Sequence, residues 1–268
     1  RFTLENEKYV RPINKIYLED YLKSVVPAEM YASWSKEALK VQAIAARTYA
    51  YLRKDQIIDD TTRYQAYAGT ERLHFNSNAA VEETVGEVLQ YNGRLIDAVY
   101  SASNGGMTES NSNEWGSTQL PYFPIQKDDY DQKVKWYASI HKQQIDTSIL
   151  DLTQPNKWWD TTTEINNRFA ANLKSWLGRN GYSNKQLKIV TIPNLEFYSK
   201  TESGRVSRGD LKVQFFVKDQ FDDSGKLELQ TKEINYVTAD TIRSFIGKDI
   251  MSSTLINDST ETNEIYSF

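Results

Sequence analysis

An α+β fold, with helices packed on antiparallel hairpins in one large domain, is the class that three observations of this sequence predict. Helix-periodic and alternating segments come in separate runs, without a repeated strand-helix-strand order. Asn92-Gly93, a dipeptide that favours a two-residue type I′ turn, lies between the β-prone stretches Val88–Tyr91 and Arg94–Tyr100. The chain is 268 residues long, with 39% hydrophobic and 25% charged residues, enough to bury a sizeable core. The domain is expected over residues 1–257, with 137–182 set apart as a candidate lobe or helical insertion. Residues 258–268, rich in Ser, Thr, Asn and Glu, are expected to be a flexible tail.

The elements follow in order. Ile16–Val26 reads as a short helix with Leu18, Leu22 and Val25 on one face, stopped by Pro27, which lacks an N–H. Glu29 then falls in the connection to the next helix. Ser35 caps that helix, Glu37 suits its first turn, and Ala38, Ala45, Tyr49 and Leu52 repeat at helical spacing to about Lys54. Asn76–Thr84 is a shorter helix ended at Gly86. After the Asn92-Gly93 hairpin comes a loop, Ser101-Ala102-Ser103-Asn104-Gly105-Gly106, whose glycines let the backbone approach a ligand closely. Thr161 and Glu164 have capping-box spacing ahead of a helix carrying Ile165, Phe169, Leu173 and Trp176 and ending at Gly178. Leu187–Ile192 and Leu211–Val217 alternate as strands, Asp222–Gly225 turns the chain, and Thr238–Ile246 is a closing helix stopped by Gly247.

Composition removes several classes of function. Thirty-two basic against 36 acidic residues, with no basic block, argue against nucleic acid as a partner. Without cysteine there is neither a disulfide nor thiolate chemistry. No apolar run approaches the roughly 20 residues of a membrane helix. The chain opens on Arg1-Phe2-Thr3 without an initiator Met or signal-like segment, so it reads as a trimmed portion, and any membrane anchor is expected in a segment outside it. His74 and His141 are too few for a triad or a metal site and read as surface or packing residues. The chain is rich in aromatics, with 17 Tyr, 10 Phe and 6 Trp; rings can stack on sugars, though most serve the core.

One carboxylate stands out. Glu29 lies in the apolar run Val25-Val26-Pro27-Ala28-Glu29-Met30, where an acid is partly exposed, paired, or kept protonated for a purpose. Gln42 falls on an otherwise apolar helix face, and a buried amide there needs partners, so it is expected to face the site of Glu29.

The run Tyr21–Met30, followed by Glu37-Ala38-Leu39-Lys40-Val41-Gln42-Ala43-Ile44-Ala45-Ala46-Arg47-Thr48-Tyr49, resembles the opening motif of the SpoIID/LytB family. Collinear matches follow at Gln65-Ala66-Tyr67-Ala68-Gly69, Val85-Gly86-Glu87-Val88-Leu89, Ser103-Asn104-Gly105-Gly106-Met107-Thr108-Glu109 and Ser203-Gly204-Arg205-Val206-Ser207. The resemblance implies an extracytoplasmic lytic transglycosylase acting on peptidoglycan glycan strands, or a cell-wall amidase enhancer without chemistry of its own. The first reading makes Glu29 the acid that protonates the leaving oxygen and then the base that frees the muramic C6 hydroxyl to close a 1,6-anhydro ring. It makes Gln42, Arg47, Tyr49, Ser101, Ser103, Asn104, Gly105, Gly106 and Thr108 substrate contacts. Arg47 is given the substrate because an arginine beside Glu29 would oppose an acid role. The expected partners are glycan strands and, in the second reading, a cell-wall amidase.

No cofactor is expected. Tyr100, Ser101 and Ser103 stand where some relatives carry Cys and His, and they are poor zinc ligands. A weaker rival is an ordinary glycoside hydrolase with Asp128 or Asp131 as second carboxylate. Trp136 and Tyr137 offer a sugar platform in that stretch, although an aromatic pair is more often core.

Overall fold

The computed structural model describes residues 1–131 and 136–268. They form two compact units, Arg1–Ala102 and Ser103–Phe268, and antiparallel sheets alongside helices make the chain α+β.

The first unit opens with a hairpin of β1 (Phe2–Glu5) and β2 (Tyr9–Pro12), followed by α1 (Leu18–Glu29), α2 (Lys36–Leu52) and α3 (Phe75–Glu83). Leu22, Val25 and Val26 of α1 pack against Leu39, Ala43 and Ala46 of α2 and Ala80 and Val81 of α3. Burying each larger aliphatic side chain stabilises the unit by about 1.5–3 kcal/mol.

Two sequence expectations change here. The helix runs through Pro27 and ends on Glu29 itself. Pro27 removes only the N–H that would bond the Lys23 carbonyl; the loss falls in the last turn, and the Met30 N–H still closes on the Val26 carbonyl at 3.1 Å. On α2, the buried face is Leu39, Ala43, Ala46, Arg47 and Ala50, whereas Ala38, Gln42, Ala45 and Tyr49 are half-buried and Leu52 is exposed. Small Ala side chains at 43 and 46 let α1 and α3 approach that face. Ser35 caps α2 as expected, accepting the Ala38 N–H at 3.3 Å. Asn92 and Gly93 take φ of 50° and 75°, the type I′ signature, but the paired strands β3 (Gln90–Tyr91) and β4 (Arg94–Leu95) are only two residues each.

The second unit contains α4 (Asn111–Trp115), β5 (Ser139–His141), α5 (Asn167–Arg179), β6 (Leu187–Lys200), β7 (Val206–Phe221), β8 (Leu227–Thr238), α6 (Ala239–Ile246), β9 (Thr260–Glu261) and β10 (Ile265–Ser267). Strands β6, β7 and β8 form an antiparallel sheet in that order. The register of β6 slips between Thr191 and Asn194, which accommodates Pro193, a residue that cannot donate to the ladder. Phe169, Leu173 and Leu177 of α5 and Ile242, Phe245 and Ile246 of α6 bury against the sheet. Gly209 is required for this packing, because a Cβ there would lie 2.6 Å from both the Glu196 carbonyl and Ile242 Cδ1.

The capping box at Thr161 and Glu164 does not form. Helix α5 starts at Asn167, and Glu164 is buried, accepting the Ile189 N–H at 3.0 Å and pairing with Lys174 at 2.7 Å. The segment expected as a flexible tail is a strand instead: β10 pairs with β5 and β9, and buried Tyr266 donates its hydroxyl to the Pro193 carbonyl at 2.9 Å. A buried ring with a satisfied hydroxyl holds this end of the chain down. Trp136 packs on the core, while Tyr137 is exposed and donates to Ser267 at 3.2 Å, so they do not form a shared platform of open rings. No described helix is long and apolar enough to cross a membrane.

Candidate active site

In the first unit, the end of α1 and the extended segment Gln65–Ala68 meet around Glu29. The Ala66 N–H donates to Glu29 Oε1 at 2.6 Å, and the Ala68 N–H donates to Ser24 Oγ at 3.0 Å. Among the described residues, no group donates to Glu29 Oε2 and no Lys or Arg pairs with the carboxylate. One oxygen is therefore fixed as an acceptor, and the other is left for exchange with whatever enters. Glu29 is partly exposed, so that oxygen is reachable from solvent.

Gln65 locks this segment. It is fully buried; its Oε1 accepts the Tyr21 hydroxyl at 3.2 Å, and its Nε2 donates to the Ala46 carbonyl at 3.2 Å and to the Tyr100 oxygen at 3.0 Å. The Tyr21 ring stacks on Tyr67 at 5.4 Å, and the Tyr67 oxygen accepts from Asn14 at 3.0 Å. Burial pushes the Tyr21 phenol up well beyond its ordinary range, with the Glu29 charge adding to it. Burial does the same to Tyr100, against the Gln65 hydrogen bond, and Glu29 again adds. Both phenols stay neutral and donate no competing charge to the site.

The other candidates divide sharply. Gln42 is half-buried and its Nε2 is buried without a hydrogen-bond partner among the described residues; no bond ties it to Glu29. Tyr49 has one ring face covered by the Arg53 guanidinium at 3.5 Å, and Arg53 is in turn bidentate to Asp97 at 3.0 and 3.2 Å. Burial, chiefly, raises the Tyr49 phenol, against the lowering effect of Arg53.

Arg47 does not face a substrate. It is 1% exposed and bidentate to Glu19 at 3.0 and 2.8 Å, and it donates to the carbonyls of Val81 at 3.1 Å and Glu87 at 3.2 Å and to Thr84 Oγ1 at 3.3 Å. A planar guanidinium with five donors suits this bridging of three segments, and little of it is left to offer elsewhere. The expectation failed because nothing local in sequence pairs Arg47 with Glu19, 28 positions away.

Ser101 lies one residue before the end of the first unit and is exposed. Ser103, Asn104, Gly105, Gly106 and Thr108 belong to the second unit, where the loop is organised by its own polar groups. Asp131 accepts the Ser103 hydroxyl at 2.9 Å, the Gly105 N–H at 3.0 Å and the Asn104 N–H. Asn104 donates to Asp128 at 2.8 Å and accepts the Gly106 N–H at 2.9 Å; Thr108 Oγ1 donates to the Pro124 carbonyl and accepts the Gln126 N–H at 2.8 Å. Asp128 is held below the usual carboxylate range by the Asn104 amide first and by the Tyr130 and Asp131 N–H groups. Asp128 and Asp131 thus serve as acceptors that organise this loop.

The motif Ser203–Ser207 folds onto the same loop. Arg205 donates to the carbonyls of Asn104 at 2.5 Å and Met107 at 2.7 Å, while Glu109 accepts from Ser203 at 2.6 Å and Thr201 at 2.8 Å. In the sequence this motif and Gln65–Gly69 are marked only by their family resemblance, and no local pattern assigns either to the site. His74 caps α3, accepting the Asn76 N–H at 3.2 Å, and His141 shares Asn166 with its own backbone. Among the described residues, no cluster of His, Asp or Glu is arranged to hold a metal.

Residues 6–91 match the family model described as stage II sporulation protein, SpoIID. The chain is 40% identical over 244 residues to a Bacillus subtilis (strain 168) protein named amidase enhancer, covering 91% of this chain and 34% of that protein. It is 32% identical over 148 residues to stage II sporulation protein D of the same organism, covering 47% of this chain and 43% of that protein. An uncharacterized protein of Brachyspira hyodysenteriae is 41% identical over 117 residues, or 41% of this chain and 32% of that protein. The chain spans less than half the length of each of these relatives.

Proposed function

Because the chain belongs to the SpoIID family, we propose that it remodels the bacterial cell wall outside the cytoplasm, as a lytic transglycosylase that cuts peptidoglycan glycan strands with Glu29 as its single acid and base. The observation that carries this reading is the state of the Glu29 carboxylate. Oε1 is held by the Ala66 N–H, Oε2 has no donor or cation among the described residues, and the side chain is partly exposed. In the protonated acid, the proton then resides on Oε2, since Oε1 is already an acceptor.

Glycosidic cleavage normally uses two carboxylates. A transglycosylase needs one. Glu29 Oε2 gives its proton to the leaving glycosidic oxygen as the bond from muramic C1 breaks. The same oxygen then takes the proton from the C6 hydroxyl as that oxygen bonds C1, which closes the 1,6-anhydro ring and restores the acid. The Gln65 network keeps the Ala66 donor in place through both halves. The polar loop 103–108 is a further candidate for glycan contact in its own unit.

The name of the relative that matches 91% of this chain favours a second reading: a wall-binding protein that stimulates an amidase. Incubation of the protein and its Glu29→Gln variant with purified glycan strands, followed by mass spectrometry, separates the two. Release of 1,6-anhydromuramic products by the parent alone supports the transglycosylase. Intact strands with amidase stimulation that survives Glu29→Gln support the enhancer.

A further inference from the structure

Between the C-cap of α1 at Met30 and the N-cap of α2 at Ser35 lie only Tyr31, Ala32, Ser33 and Trp34. Two of these four carry large rings left in solvent: Tyr31 is 74% exposed and Trp34 52%. Phe75, at the start of α3, is 83% exposed. None of the three is among the side chains packed on the three-helix core, so packing does not account for them. Exposed apolar rings gathered in one place mark a contact surface.

The surface is built. The Trp34 N–H donates to the Tyr31 carbonyl at 3.0 Å, which closes the connection into a turn and sets the two ring centroids 5.9 Å apart at 52°. Asn76, the residue after Phe75, donates its side-chain amide to the Ala32 carbonyl at 3.2 Å and ties the turn to α3. Tyr31 is two residues beyond Glu29, so its Cα lies within about 7 Å of the Cα of Glu29. The flank is neutral in net effect: Lys36 pairs with Glu83, and Lys40 pairs with Glu37 at 3.1 Å and with Glu83 at 3.0 Å.

We propose that Tyr31 and Trp34 form a stacking shelf that binds an uncharged pyranose ring of a glycan strand, beside the carboxylate of Glu29. The axial C–H face of such a ring packs on an aromatic face while its hydroxyls stay in water, and paired flanking charges leave no attraction for an ionised ligand. The proposal rests on the glycan reading above, and it assigns the part of the substrate that the first unit holds.

The test is calorimetric titration of the Glu29→Gln variant, which cannot turn over, with a tetramer of N-acetylglucosamine and with peptide-free glycan strands. Trp34→Ala and Tyr31→Ala are added to that variant singly, with Trp34→Phe as the ring-preserving control and thermal melting to confirm folding. Folded Trp34→Ala is expected to bind roughly tenfold or more weakly, with Trp34→Phe recovering most of the loss. Binding by folded Trp34→Ala within twofold of its parent overturns the shelf, as does a Glu29→Gln variant that binds no glycan. If the unmodified protein binds in a Trp34-dependent way but releases no anhydro product, the shelf stands and the transglycosylase reading falls.

Discussion

Replacing Arg47 by Met puts the burial of this arginine to the test, because it removes the charge while keeping much of the apolar stem. Breaking a buried ion pair by removing one partner costs about 3–5 kcal/mol, since the other charge is left uncompensated. Glu19 is 31% exposed and regains some water, which places the cost near the lower end of that range. The Val81 carbonyl keeps the Thr84 N–H as a donor, but the Glu87 carbonyl loses Arg47, which adds roughly 1 kcal/mol. The sum is about 3–4 kcal/mol, a large part of the 5–15 kcal/mol that holds a domain together. At about 4–8 °C per kcal/mol for a unit near 100 residues, its melting midpoint should fall by well over ten degrees. Adding Glu19→Gln removes the orphaned charge and should return about 1–2 kcal/mol. Urea and thermal unfolding read both values. A variant that melts within about 1 kcal/mol of its parent yet loses glycan binding would refute the structural role and return Arg47 to the substrate.

Three further outcomes are expected. Glu29→Gln should abolish anhydro-product release with the melting midpoint nearly unchanged, because the new amide oxygen can still accept the Ala66 N–H; residual cleavage at the parental rate would remove Glu29 from the mechanism. Gln65→Leu leaves the Tyr21 and Tyr100 phenols without their Gln65 partner, so it should cost about 1–3 kcal/mol and slow cleavage by loosening the Ala66 donor; a cleavage rate equal to the parent's would show that the segment is held without it. In the second unit, burial would raise Glu109, but hydrogen bonds from Ser203, Asn113, the Ser110 N–H and Thr201 outweigh it and depress its pKa, as the Asn104 amide and backbone donors do for Asp128. Depressed carboxylates stabilise the fold above the ordinary range near ~4, and that stability is lost as pH falls through the lower folded values. The acid side of a melting-point profile should therefore flatten in Glu109→Gln, and an unchanged slope would dissociate Glu109 from acid unfolding.

Sequence alone determined what short-range chemistry decides. The Asn92-Gly93 turn, the Ser35 cap on α2, the Gly247 stop of α6, and the isolation of Glu29 among apolar neighbours are all contained within a few residues. Each depends on a local backbone preference or a hydrogen bond spanning three or four positions. What lay beyond sequence was the identity of distant partners. Ala66 reaches Glu29 across 37 positions, Gln65 reaches Tyr100 across 35 and Arg47 reaches Glu19 across 28, and in the second unit Arg205 reaches Asn104 across 101. The same gap misplaced the ends of elements. Pro27 stayed helical because neighbours packed around the last turn of α1 outweigh one missing hydrogen bond, and Glu164 left its capping spacing for a buried bond to β6. The C-terminal residues, polar enough to read as a tail, became a strand because Tyr266 finds a buried slot and two carbonyls that only the folded sheet supplies. Local propensity is weak, of order 1 kcal/mol per residue or less, and tertiary burial overrides it wherever the two disagree.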